Sequence, residues 1–149
     1  EEAIASSYGD DAYPEDPPLP AYFRFDTVAV ENDSIADFYL SSLAGGQLLN
    51  QIRRYPDVEA AMSALETGEV MAAMGPRGQL EAGLTEATGI HAPPLPGFAV
   101  GRWTLGVAIR HNYRALAYTV DDAIRYAIED GRMAEIFARH GLTFAPPER

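Results

Sequence analysis

The sequence predicts an α/β fold, a single three-layer lobe built on a largely parallel sheet of four to five strands. From residue 27 onward, short runs of β-branched and small apolar residues alternate with segments of helical period. The helical segments have start signals such as Ser34 and Asp57 and stop signals such as Gly68. Helices of about ten residues between strands imply right-handed βαβ crossovers, which produce parallel strands covered on both faces.

Two strand–helix pairs open the predicted lobe. Residues 27–30 form the first strand, and Ser34 followed by Asp37 is a capping-box pattern that begins a helix. Residues 48–55 form the second strand, and Asp57 caps the next helix. The helical period predicts one inward face for each helix: Ile35, Phe38, Tyr39 and Leu43 in the first, and Val58, Ala61, Met62 and Leu65 in the second.

Two further strands and three helices complete the prediction. Residues 70–74 form a buried strand that breaks at Gly75 and Pro76 into a weaker helix near residues 79–87. Residues 103–110 form a fourth strand, and two amphipathic helices close the chain. The predicted core consists of Val28, Val30, Phe38, Met62, Leu65, Val70, Met74, Ile124, Ile136 and Phe137.

Residues 1–25 differ from the rest of the chain in composition. Six acidic residues precede the first basic residue, Arg24, and four prolines between residues 14 and 20 exclude a regular helix or central strand there. This pattern predicts an acidic, proline-rich extended arm at residues 1–25 and the α/β lobe with its closing helices at residues 26–149. The aromatic residues of the arm, Tyr8, Tyr13, Tyr22 and Phe23, indicate that part of it lies on a surface.

Composition excludes several classes of function. The chain has no cysteine, which excludes disulfides and thiolate zinc sites. Its formal net charge of −11 argues against a nucleic-acid partner, because phosphate binding needs a concentrated basic surface and Arg53–Arg54 is the only basic pair. No apolar run approaches the roughly 18 to 20 residues needed to cross a bilayer. We therefore expect neither a nucleic-acid partner nor a membrane span.

Three segments resemble the amino-acid-type (type 2) periplasmic solute-binding proteins of ABC transport. They are DVEAAMSALETGEVMAAMGP at residues 57–76, LGVAIRHN at residues 105–112, which is similar to the strand returning through that family's hinge, and EDGRMAEIFARHG at residues 129–141, which is similar to its closing helix. Their order and spacing extend the resemblance over most of residues 27–141. VENDSIADFYL and FARHGLTFAPPE are also similar to the branch accessory to quinoprotein alcohol dehydrogenases.

The resemblance implies a periplasmic protein whose two lobes close on a small molecule. This chain resembles the second lobe only, so the missing first lobe or another periplasmic protein is an expected partner. In the amino-acid binders of this family, a carboxylate just after the strand equivalent to residues 70–74 holds the ammonium group of the ligand. Here Gly75, Pro76 and Arg77 occupy that place, which puts an amino-acid ligand in doubt.

Five residues are candidates for ligand binding, because ligands approach the carboxyl ends of the strands in such a sheet. Asn32 and Ser34 follow the first strand, and Ser34 either contacts a ligand or only caps its helix. Gly75 and Arg77 follow the third strand, where the guanidinium either grips an anion or pairs with Glu81 one turn later. Trp103 forms either an apolar ligand wall or part of the core.

No residue pattern indicates catalysis. His91, His111 and His140 lack the short spacing of a metal pair, and no G-x-S-x-G, phosphate loop or dinucleotide fingerprint occurs. We therefore expect no enzyme activity, no metal and no cofactor. A single lobe offers a shelf instead of the two walls that enclose a ligand, so the favoured function is a docking or accessory subunit of a periplasmic assembly. The alternative is one lobe of a transport protein that captures a small polar or anionic solute.

Overall fold

Five short strands form one sheet among the described residues of the first part of the chain. The computed structural model describes residues 2–6, 23, 25–98 and 102–147, which belong to two units, Glu1–Arg102 and Trp103–Arg149. The strands of the first unit are β1 (Glu2–Ser6), β2 (Val28–Glu31), β3 (Ile52–Tyr55), β4 (Ala72–Pro76) and β5 (Gly89–His91). Their order across the sheet is β3-β2-β4-β1-β5.

Four of the five strands run in the same direction. β2 pairs in parallel with both β3 and β4, whereas β1 lies antiparallel between β4 and β5. The prediction of an α/β fold with a largely parallel sheet is confirmed. The antiparallel member is β1, which the sequence reasoning placed in the extended arm.

Helices cover both faces of this sheet. Helix α1 (Ile35–Ser42) packs over one face, and helices α2 (Val58–Glu66) and α3 (Arg77–Ala82) pack over the other. Alternate residues of each strand point to opposite faces. Val28, Val30 and Met74 therefore join the core beneath α1, while Ala29 and Ala73 join the core beneath α2 and α3. The three layers are as predicted.

The inward face of α1 differs from the prediction. Tyr39 and Leu40 are buried, but Phe38 is 63% exposed and Ile35 is 50% exposed. The sequence pattern was ambiguous, because Ile35, Ala36, Phe38, Tyr39 and Leu40 offer two overlapping apolar stripes. The small residue Ala36 allows the stripe with Leu40 to approach the sheet closely.

Three predicted element boundaries also need correction. Residues 48–51 form turns, so the second strand covers only its last four predicted residues. The weaker helix begins at Arg77 and ends at Ala82, earlier than residues 79–87. The third strand runs through Gly75 and ends at Pro76.

The arm prediction is wrong for its first residues. Glu2–Ser6 is a fully buried interior strand, and Phe23, 1% exposed, belongs to the core beneath α1. Glu2–Ser6 precedes the prolines that exclude a central strand, and Ala3, Ile4 and Ala5 are apolar residues that can be buried on both faces. Residues 7–22, with Tyr8, Tyr13 and Tyr22, lie outside the described residues, and the division at residues 25 and 26 stays a prediction.

The described part of the second unit contains a short 3-10 helix (His111–Tyr113) and the α-helices α4 (Leu116–Glu129) and α5 (Arg132–Arg139), which are joined at Gly131 with φ of 83°. Residues 103–110 have no regular secondary structure, so the predicted fourth strand is wrong. A strand needs a partner, and between residues 103 and 147 the second unit contains no other strand. No helix in the described part of the chain is long and apolar enough to span a membrane.

The second unit buries none of its described side chains. Ile124 and Phe137 are half-buried and Ile136 is 40% exposed, so these three residues are not the core members that the sequence predicted. The rings of Phe137 and Phe144 make an edge contact with centroids 5.2 Å apart. Two helices without a third layer cannot enclose a core, whereas Val28, Val30, Met62, Leu65, Val70 and Met74 of the first unit are buried as predicted.

The observed face of α1 predicts unequal effects of two substitutions. We expect Leu40→Ala to lower the free energy of unfolding by about 2 to 4 kcal/mol, because it removes a fully buried side chain from the core. Phe38→Ala should change it by no more than about 0.5 kcal/mol, because Phe38 is mostly exposed. Urea unfolding of both variants measures the difference. A larger loss of stability for Phe38→Ala than for Leu40→Ala would instead support the inward face of α1 that the sequence predicted.

Candidate functional site

The carboxyl ends of β2, β3 and β4 meet at one edge of the sheet. These strands end at Glu31, Tyr55 and Pro76, and antiparallel β1 begins at the same edge because Glu2 lies opposite Pro76. Loops that follow parallel strands at such an edge form the usual ligand sites of α/β folds. We call it the carboxyl edge, and Asn32, Ser34, Gly75 and Arg77 all lie on it or directly after it.

Asn32 and Ser34 lie in the loop between β2 and α1. The Ser34 Oγ accepts a hydrogen bond from the Asp37 backbone N–H at 3.2 Å, which is the N-cap that the sequence predicted. The exposed Asn32 side chain donates to the Asp33 carboxylate at 2.9 Å, and Asp33 has a φ of 59°. Both side chains have local partners, and their ligand-binding role stays a prediction.

Asp37 holds the loop between β2 and α1 in place through hydrogen bonds. Its buried carboxylate accepts hydrogen bonds from Arg54 Nε at 2.8 Å, from Ser41 Oγ at 3.0 Å and from the Asp33 backbone N–H at 3.2 Å. Burial alone would raise the pKa of Asp37, but these hydrogen bonds and the Arg54 charge lower it overall. Arg54 lies on edge strand β3, so the network ties helix α1 to the sheet.

Gly75 and Arg77 flank the end of β4. A Cβ atom at Gly75 would lie 3.4 Å from Val58 Cγ2, so α2 packs closely over this residue. Arg77 is the first residue of α3, and its Nε donates to Glu81 Oε1 at 2.8 Å. The pair with Glu81, one of the two interpretations of the sequence, is therefore present. An anion-binding role for Arg77 stays a prediction.

Trp103 belongs to the second unit and is 38% exposed. The other four predicted site residues belong to the first unit, so the carboxyl edge is formed without Trp103. Its role as an apolar ligand wall stays a prediction.

Glu2 is a candidate site residue that the sequence reasoning missed. Its side chain is 3% exposed, and its Oε2 atom has no hydrogen-bond partner among the residues that the structure describes. Burial raises the pKa of the Glu2 carboxyl to about 7, although the positive charge of the N-terminal amino group lowers it, and the nearby Glu31 carboxylate adds to the increase. The only signal in the sequence was the short apolar run after Glu2, which the many acidic residues of this terminus obscured.

A groove of about 570 Å³ lies beside the carboxyl edge, between α2 and α3. All four of its ionisable lining residues are acidic: Glu31, Asp57, Glu59 and Glu66. Met62 and Gln79 add apolar and amide surface. Among the residues that the structure describes, no three His, Asp or Glu side chains group as a metal site would require. The groove thus presents four carboxylate side chains.

The raised pKa of Glu2 predicts how stability depends on pH. The folded protein binds the proton of the Glu2 carboxyl more tightly than the unfolded chain does. The stabilisation from the protonated Glu2 carboxyl is therefore fully present below about pH 4.5 and is lost as pH rises through about 7. Glu2→Gln keeps a neutral side chain at every pH, so its thermal midpoint should fall less than that of the wild type between pH 4.5 and 7.5. Equal slopes for the two proteins would show that Glu2 titrates normally.

The sequence matches no protein-family model and no curated protein sequence. Its fold is similar to that of several solved structures. An ancestral arginine-binding protein bound to glutamine superposes with a TM-score of 0.56 at 17% identity, over 93% of this chain and 58% of that one. The solute receptor for L-cysteine of Neisseria gonorrhoeae gives a TM-score of 0.52 at 16% identity, over 93% and 52%.

A mutant of ArgBP from T. maritima gives a TM-score of 0.54 at 17% identity, over 88% of this chain and 53% of that one. The chain therefore spans a little over half the length of these solved structures. At such low identity the similarity concerns the fold, and the chain has the fold of a large part of these solute-binding proteins.

Proposed function

We propose that this chain is a non-catalytic periplasmic solute-binding module that holds a small, positively charged solute at the carboxyl edge. The main support for this proposal is the negative charge of the carboxyl edge. Glu31, Asp57 and Glu59 line the groove beside it, while Arg77, the arginine directly after β4, is paired with Glu81. The sequence left a polar or an anionic solute open, and these carboxylates favour a cation.

The distribution of charge along the chain supports the same proposal. Residues 103–149 contain six arginines and six acidic residues, so their formal charges cancel. Residues 1–102 contain five arginines and sixteen acidic residues, and they carry the whole net charge of −11. A field of this sign attracts small cations to the first unit and repels anions.

The fold neighbours support a binding function over an enzymatic one, because their names describe proteins that bind arginine or L-cysteine. A pocket usually encloses 70% or more of a small ligand, whereas an open edge contacts it from one side. We therefore expect the chain alone to bind its solute weakly, with a dissociation constant on the order of 0.1 to 1 mM.

Calorimetry with two amino acids of opposite side-chain charge tests the proposal. L-Arginine should bind at pH 8, because the carboxylates of the edge attract its positively charged side chain. L-Glutamate should not bind, because the same carboxylates repel its negatively charged side chain. Glu31→Gln should weaken arginine binding at least fivefold. Glu86→Gln is the matched control, because Glu86 is exposed and precedes β5 at the opposite edge of the sheet. Binding of glutamate equal to that of arginine, or no binding of either, contradicts the proposal.

Docking onto another protein is the second candidate function. The observation that favours it is the exposure of apolar side chains in the second unit: Leu105 is 85% exposed, Val107 is 63% exposed and Trp103 is 38% exposed. Apolar side chains grouped on a surface mark interaction sites in soluble proteins. In this alternative the chain is an accessory subunit of a periplasmic assembly, such as the branch that accompanies quinoprotein alcohol dehydrogenases.

The docking candidate predicts association of the purified chain through this surface. We expect sedimentation velocity at about 100 μM to show self-association that Leu105→Ser reduces, because the substitution removes exposed apolar area. Glu86→Gln again serves as the control without effect. A wild-type protein that stays strictly monomeric at this concentration would argue against docking through residues 103–107.

A further inference from the structure

One side of α2 carries two carboxylates around a small residue. Glu59, Ser63 and Glu66 are exposed and line the groove between α2 and α3. Their i, i+4, i+7 spacing places them on one face of the helix, and this length of helix spans about 10.5 Å. On the other side of the groove, α3 and the residue after it contribute the small residues Ala82 and Gly83. We call Glu59, Ser63 and Glu66 the acidic stripe.

The two glutamates of the acidic stripe lie beside an apolar floor. Among the described residues, no arginine forms an ion pair with Glu59 or Glu66. The polypeptide approaches α2 closely at Gly83, where a Cβ atom would lie 3.1 Å from Met62 Cβ, and Met62 lines the groove there. A helix that presents two arginines around one apolar side chain matches such a surface in charge and polarity.

Helix α5 carries a stripe of the opposite sign. Arg132, Ile136 and Arg139 are exposed and line one recess in the surface of the second unit. Their spacing is again i, i+4, i+7, so the two arginines are separated by about 10.5 Å along the helix. Ile136, 40% exposed, lies between them. We call these three residues the basic stripe, and it has the same length and the same charged–uncharged–charged order as the acidic stripe.

Two acidic residues lie near the basic stripe. Arg132 Nε donates to Asp130 Oδ2 at 2.6 Å, but both side chains are exposed, so this pair contributes little stability and a partner can replace it. Glu135 lies on the same side of α5, and Gln79 in the groove has an amide that can donate a hydrogen bond to such a carboxylate. Arg139 forms no ion pair with any described residue. It is therefore the arginine most available to a partner.

We propose that the basic stripe of one copy of this chain docks onto the acidic stripe of a second copy, with α5 in the groove and Ile136 above the small residue Ser63. The formal charges of residues 103–149 cancel, so a second unit can approach the negative first unit of another copy, whereas two first units repel each other. Each copy uses two different surfaces, so the contact is heterologous and can extend to further copies. This inference goes beyond the proposed function, because the occupant is a protein helix.

Charge reversal on each surface tests the inference. One variant combines Glu59→Arg with Glu66→Arg, and the other combines Arg132→Glu with Arg139→Glu. In sedimentation velocity at low salt, we expect each variant alone to raise the dissociation constant of self-association at least about tenfold. An equimolar mixture should restore association, because the unchanged α5 of the first variant meets the unchanged groove of the second. The groove variant is less negative overall, so a general charge effect would strengthen its association instead.

Glu86→Arg is the control, because it reverses an exposed charge at the opposite edge of the sheet and should leave association unchanged. Circular dichroism checks that every variant is folded. A monomeric wild type, unchanged association of both variants, or a mixture that stays monomeric would overturn the inference. Association that only Leu105→Ser reduces would assign the contact to residues 103–107 and would overturn it as well. No amino acid is present in these measurements, so their outcome is independent of the solute-binding test.

Discussion

The architecture of the first unit depends on burying β4 on both faces. Strands β2 and β1 satisfy its backbone on its two sides, while the cores beneath α1 and beneath α2 and α3 cover its faces. A strand in this position must carry small or apolar residues, and Ala72, Ala73, Met74 and Gly75 meet that requirement. Charge is thereby excluded from the end of the central strand. The carboxylates of the edge come from its two neighbours instead.

The loop after β2 owes its shape to a different interaction. Asp37 is 4% exposed and joins Asp33, Ser41 and Arg54 in one network. Since the pKa of Asp37 is lowered, its contribution to stability is present above the usual aspartate pKa of 3.8 and is lost only as pH falls below that value. Glu2 has the opposite dependence. The two carboxyls thus make different parts of the same edge sensitive to different pH ranges.

Local signals were sufficient to predict much of this fold. Asp57 and Ser34 cap their helices as expected, and Val58, Ala61, Met62 and Leu65 form the inward face of α2, because capping and helical period depend on neighbours in sequence. The errors have non-local causes. Residues 103–110 have a strand-like pattern, but a pattern cannot supply a pairing partner, and the role of Glu2–Ser6 depends on strands far away in sequence.

Local signals in the sequence also predicted part of the candidate site. The rule for parallel sheets led to Asn32, Ser34, Gly75 and Arg77, because those residues follow strands that the sequence reveals. Glu2 is the first residue of its strand, and only an antiparallel orientation brings it to the same edge. No rule about residues after parallel strands could find it. The pairing of Arg54 with Asp37 was likewise hidden, because seventeen positions separate them.

The interior position of β1 has a consequence for how the chain folds. Ser6 pairs with both Ala72 and Gly89, so the two ladders of β1 close loops of more than sixty residues. Closing long loops costs chain entropy before the contacts repay it, and high contact order slows folding. The βαβ units from β2 to β4 can assemble earlier from nearer contacts. Until β1 inserts, the backbone of β4 lacks a partner on one side and β5 lacks its only partner strand, and unpaired strand edges of this kind promote aggregation.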